Sequence, residues 1–77
     1  MESVSIVYCK PCGYLKRAAD AAAALEKKFG VTAELVPGKG GIFEVRVGDK
    51  VVAKRVQGHF PDTAEIVAAV AAAAKGR

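Results

Sequence analysis

What this sequence lacks narrows its chemistry first. It has two cysteines and one histidine, so there is no second cysteine pair. Structural zinc sites want a full tetrahedral set of such ligands, which disfavours a zinc site built by this chain alone. No segment approaches the roughly 18 consecutive apolar residues of a membrane-spanning helix. The opening residues, Met1 to Tyr8, lack the basic region and long apolar core of a secretory signal, so the expectation is a soluble, cytoplasmic protein. There are no internal repeats, no linker, and no basic stripe interleaved with aromatics. The net charge of +4, from 12 Lys+Arg against 8 Asp+Glu, therefore reads as solvated surface, with neither nucleic acid nor membrane expected as a partner.

At 77 residues the chain is expected to form one domain over residues 1–77. The 52% apolar content overstates the core, because much of it is alanine. Valine, isoleucine, leucine and the three phenylalanines must do most of the packing.

Both cysteines fall within Tyr8-Cys9-Lys10-Pro11-Cys12-Gly13-Tyr14. A C-x-x-C pair can clip a metal, staple a fold or cycle between dithiol and disulfide. A staple is the weak reading, since cytosolic disulfides are more often transient and so small a loop gains little from closure. Two thiolates suit Cu(I). Small copper chaperones with a ferredoxin-like fold, however, carry M-x-C-x-x-C and a final strand. Here Val7 stands at the methionine position and the chain ends in a helical pattern. No bound metal or cofactor is expected.

Ser3 to Tyr8 is β-prone and largely apolar, as in a buried strand. Pro11 suits a first helical position, and the pattern from Gly13 to Phe29 is helical, with Leu15, Ala18, Ala22, Leu25 and Phe29 forming one apolar stripe. Lys27 and Lys28 fit the last turn, and Gly30 the stop. Val31 to Val36 reads as a second strand, ended by Pro37 to Gly41. Phe43, Val45 and Val47 alternate with polar residues in a half-buried strand. Gly48-Asp49 then turns the chain into Lys50 to Val56, making a hairpin. Gly58 to Pro61 breaks the chain, and Asp62 with Glu65 resembles a capping box opening a helix through Ile66, Val70 and Ala73 to Lys75.

The element order is β-α-β-β-β-α. A right-handed crossover would make the first two strands parallel, and loops 9–13, 37–41 and 57–61 would then meet at the cysteine end, where open α/β sheets usually bind ligands. There the positive end of a helix, helped by Lys10, Lys16 and Lys39, would stabilise a thiolate and lower a cysteine pKa from about 8.5 into a range of roughly 3.5–7.5. The thiolate attacks a disulfide and the second thiol resolves the mixed species. Helix electrostatics alone ranks Cys9 as exposed nucleophile and Cys12 as buried resolver.

Lys10, Pro11, Gly40, Gly41, His59 and Phe60 are the candidate substrate- or partner-contacting residues. Four of them have a plainer reading beside that one. His59 is more often polar surface than a proton-transfer group. Phe60 serves as a hydrophobic staple before Asp62, and Gly40 and Gly41 satisfy backbone geometry. Tyr8 and Tyr14 pack around the motif.

With motif and strand order in hand, the chain resembles the Rdx family, the small thioredoxin-like proteins that include selenoproteins W, T, H and V. Most of all it is similar to bacterial selenoprotein W-like members with cysteine in place of selenocysteine. The resemblance rests on Tyr8 to Tyr14, on Gly40-Gly41-Ile42-Phe43-Glu44-Val45 and on Gly58-His59-Phe60-Pro61-Asp62. It implies a thioredoxin-like βαβββα α/β fold, with a mixed four-stranded sheet and two helices. It also implies a thiol–disulfide role linked to glutathione or a thioredoxin-type reductant and to client protein thiols, without a settled substrate. Where the family carries selenocysteine it stands at the position of Cys12, which implies that Cys12 is the reactive atom, against the electrostatic ranking. Thioredoxins place a cis-proline before the strand facing the motif, whereas this chain has Gly40-Gly41-Ile42 there. Two further readings stand beside the dithiol oxidoreductase: a redox-switched protein-binding module without turnover, and a Cu(I)-binding domain.

Overall fold

The computed structural model describes residues 3–56 and 59–75. Its elements run β1 (Val4–Cys9), α1 (Leu15–Phe29), β2 (Ala33–Gly38), β3 (Phe43–Val47), β4 (Lys50–Lys54) and α2 (Thr63–Lys75), the expected βαβββα order. The strands form one mixed sheet in the order β2-β1-β3-β4. β1 pairs parallel with β2, from Val4 opposite Ala33 to Cys9 opposite Gly38. It pairs antiparallel with β3, from Val4 opposite Val47 to Tyr8 opposite Phe43.

Alternation decides which face is buried. Val4, Ile6 and Tyr8 of β1 and Phe43, Val45 and Val47 of β3 turn into the core, while the residues between them are half-buried. α1 packs on β1 and β2, α2 on β3 and β4, and the helices touch each other. They therefore lie side by side on one face of the sheet. α1 contributes Ala18, Ala21 and Leu25 to the core, and α2 contributes Ile66 and Val70. Alanine at 18 and 21 lets the helix approach the sheet closely, and Leu25, Ile66 and Val70 fill the space beyond.

Several expectations shift. Leu15 does not join the buried stripe. It is 49% exposed, because it is the first residue of α1 and lies beyond the part of the helix that meets the sheet. Pro37 and Gly38 belong to β2 instead of ending it. A proline is tolerated there because β2 is an edge strand, where the missing N–H is not required by a neighbour. β4 stops at Lys54, and Val56 then exchanges both backbone hydrogen bonds with His59, at 3.1 and 2.8 Å. Gly58, expected to break the chain there, lies outside the described residues.

The helix ends follow local chemistry. Gly30, at φ 70°, closes α1 with its N–H on the Glu26 carbonyl at 2.8 Å, behind Lys27 and Lys28 in the last turn. The expected capping box opens α2. The Glu65 N–H donates to Asp62 Oδ1 at 2.8 Å, and the Asp62 N–H reaches Glu65 Oε1 at 3.4 Å. Among the described residues no helix is long and apolar enough to cross a membrane.

Candidate functional site

The site begins where β1 runs out. Cys9 is the last strand residue, and its N–H donates to the Ile42 carbonyl at 2.7 Å while the Lys10 N–H donates to Gly38 at 3.1 Å. These two bonds tie the start of the cysteine turn to both flanking chain segments. The chain then closes on itself. The Gly13 N–H returns to the Lys10 carbonyl at 3.1 Å and the Tyr14 N–H to the Cys9 carbonyl at 3.3 Å, with Gly13 left-handed at φ 81°. This nested pair of bonds is the pattern that usually ends a helix. Here it makes residues 9–14 a self-contained turn.

The consequence is a correction. Pro11 is not at a first helical position. It sits inside the turn closed by Lys10 and Gly13, where its fixed φ fits and no N–H is needed. α1 starts only at Leu15, with Tyr14 as its N-cap and no side-chain capping bond. Cys12 therefore lies just ahead of the helix start, and Cys9 lies a further turn away, in the sheet.

Cys9 and Cys12 are joined as a disulfide across a Cα–Cα separation of 5.3 Å. Their exposures are the reverse of the electrostatic expectation. Cys9 is fully buried, at 0%, whereas Cys12 is exposed. The reason is structural. Cys9 is held in the ladder between β2 and the segment leading into β3, while Cys12 rides on the outside of the turn.

The other candidates divide. Lys10 and Pro11 are exposed on the turn itself. Gly40 and Gly41 are both left-handed, at φ 77° and 79°, and lie beside Ile42, whose carbonyl holds Cys9. No cis peptide occurs among the described residues, so this junction does without the thioredoxin proline. Phe60 reaches the site, its ring 4.8 Å from Tyr14 and 5.8 Å from Phe43, both edge-on. It therefore braces the cysteine turn from the α2 side, in addition to standing before the Asp62 cap. The exposed His59 has its Nε2 3.3 Å from the Glu65 carboxylate, in the first turn of α2.

Two residues went unnoticed in the sequence. The Arg17 guanidinium lies 4.0 Å over the Phe60 ring, and that of Arg55 lies 5.4 Å from the same ring centre. No spacing rule connects positions 17, 55 and 60, so only the fold could reveal them. Gly13, by contrast, left a usable signal: a glycine directly after the second cysteine, at a position read as the first of the helical pattern, where glycine is a poor helix former.

The Rdx family sequence profile matches residues 3–72. Migration and invasion enhancer 1 of Mus musculus is 31% identical over 75 residues, covering 95% of this chain. The chain spans 65% of the length of that curated relative. A crystal structure of a protein from Bordetella parapertussis superposes with a TM-score of 0.84 at 33% identity, covering 92% of this chain and 95% of that one. The selenoprotein W-related protein from Vibrio cholerae gives a TM-score of 0.82 at 28% identity, covering 92% and 94%. The thioredoxin-like fold and the selenoprotein W-like character thus agree with the resemblance carried by the motif.

Proposed function

This chain belongs to the Rdx family, and we propose that it is a thiol–disulfide redox protein in which Cys12 is the attacking sulfur and Cys9 the resolving one. The observation that carries this reading is the disulfide at the end of β1, with one partner buried and the other exposed. An exposed sulfur can meet a substrate, and a buried one a bond away can displace it.

In the reduced protein the Cys12 thiolate attacks one sulfur of a disulfide R–S–S–R′. The Cys12–S–S–R bond forms and R′–S⁻ leaves, taking a proton from solvent. Cys9, its proton lost to solvent, then attacks the Cys12 sulfur, closing the Cys9–Cys12 disulfide and expelling R–S⁻. Two electrons pass from the dithiol to the substrate, and one disulfide yields two thiols. The reverse exchange, with two molecules of a glutathione-type thiol or with one thioredoxin-type dithiol, restores the pair. Proximity to the start of α1 favours negative charge on Cys12 over Cys9, because the field of a helix end fades within about one turn. Client protein thiols and a reducing cytoplasm fit this cycle.

The test is a trapping experiment. Cys9→Ser should retain a stable mixed disulfide at position 12, seen by intact mass, because nothing resolves it, while Cys12→Ser should form little adduct. A stable adduct on Cys9 in Cys12→Ser, with none on Cys12 in the other variant, would reverse the roles. Stoichiometric capture of one client with negligible turnover by the unaltered protein would favour the redox-switched docking module.

A further inference from the structure

A cleft of about 450 Å³ opens between residues 40–44 and 54–56, and its wall is hydrogen-bonded to the redox pair through the Cys9 N–H and the Ile42 carbonyl, 2.7 Å apart. A Cβ placed on Gly40 would meet nothing within 4 Å, and one on Gly41 would stand 3.6 Å from Arg55 Nη1. With no side chain at either position, nothing from Gly40 or Gly41 stands over the main chain or against the half-buried Arg55.

The charges here are unbalanced. Arg55 and Arg17 both stand within 5.4 Å of the Phe60 ring centre, and neither has a carboxylate partner among the described residues. Lys54 adds a cation to the cleft rim. The cleft's carboxylate, Glu44, is held by Arg46 at 2.6 Å. Asp20 is paired with Lys16 at 3.2 Å, and Asp62 is engaged in capping α2. An aromatic face offsets only part of the repulsion between two guanidinium groups. An anion would offset more, and a planar guanidinium matches a carboxylate in shape as well as charge.

Resting on the redox reading above, we propose that this cleft is a subsite for a carboxylate carried by a small disulfide or thiol substrate. Arg55 is its principal ligand, and Lys54 and Arg17 supply supporting positive potential. The volume suits a short peptide-like molecule, since small-molecule sites run from roughly 300 to 1,000 Å³. The reacting sulfur would then meet exposed Cys12 while its charged arm lies against Gly40-Gly41.

Reduced protein is presented with oxidised glutathione, which is anionic, with bis(2-hydroxyethyl) disulfide, which is neutral, and with cystamine, which is cationic. Rates are scaled to those of a free thiol with the same reagents. The scaled order should be anionic, then neutral, then cationic. Arg55→Gln should slow oxidised glutathione roughly tenfold, the loss of one charge-assisted contact, and leave the neutral reagent unchanged, which also shows that the variant is folded. Equal slowing of both reagents, or no slowing of the anionic one, would overturn the assignment. S-methylglutathione, which cannot exchange, separates this proposal from the redox reading. Its binding by titration calorimetry should weaken in Arg55→Gln even if no reagent is reduced, and absence of binding to the unaltered protein would remove the subsite alone.

Discussion

Replacing Gly13 with alanine isolates the backbone contribution to the cysteine turn. Gly13 is at φ 81°, and its N–H and that of Tyr14 close the turn on Lys10 and Cys9 at 3.1 and 3.3 Å. A Cβ there would meet nothing within 4 Å, so crowding contributes nothing. A side chain in the left-handed region costs roughly 1–2 kcal/mol. Loss of unfolded-state freedom returns about 0.4–1 kcal/mol, leaving a net destabilisation of about 1 kcal/mol. For a domain of this size that lowers the melting temperature by roughly 4–8 °C. Gly13→Asn should fall between glycine and alanine, because asparagine tolerates this conformation better. The assay is thermal unfolding of the oxidised protein, followed by circular dichroism. An alanine variant as stable as the parent would mean that the left-handed turn is not required. A loss of about 3 kcal/mol or more would refute the reasoning from the other side, since it would need a clash that the geometry does not contain.

Gly38→Ala fails for the opposite reason. Its Cβ would stand 2.9 Å from Ile42 Cγ2 and 3.4 Å from Val7 Cγ1, so overpacking should cost about 1–3 kcal/mol in urea unfolding. Ile42→Ala should recover part of that in the double variant, and simple additivity would argue against the clash. Asp62→Ala removes the acceptor of the Glu65 N–H at 2.8 Å and should cost about 1 kcal/mol by denaturant midpoint, an unchanged midpoint counting against the cap. Phe60→Ala loses two edge-on ring contacts, at 4.8 and 5.8 Å, each worth about 0.5–1.5 kcal/mol. A total near 1–3 kcal/mol is expected by urea titration, and a loss under about 0.5 kcal/mol would mean that the ring does not brace the turn.

The readable parts of the sequence were those governed by near neighbours. The alternation of Phe43, Val45 and Val47 identified the buried face of β3 because side chains in a strand alternate by geometry. Asp62 and Glu65 announced the start of α2 because a capping box is a contact between residues three apart. The parallel pairing of β1 with β2 followed from a helix-length connection.

The sequence alone thus determined the order of elements, most of the core and the location of the redox pair, since each rests on local spacing or on connectivity. Tertiary structure decided the rest. Pro37 could join β2 only because that strand lies at the edge of the sheet, a fact about neighbours distant in the chain. Leu15 stayed outside the core because a helical period names a stripe without saying how much of it meets the sheet. The Arg17–Phe60–Arg55 cluster exists only once α1, the segment just after β4 and the loop before α2 converge. The ranking of the two sulfurs turned on the same cause. With Pro11 expected at a first helical position, helix electrostatics ranked Cys9 as the exposed nucleophile, but the turn closed by Gly13 moves the helix start to Leu15, and the sheet ladder buries Cys9 while leaving Cys12 outside. Exposure depends on what the whole fold packs around an atom, and no short stretch of sequence carries that information.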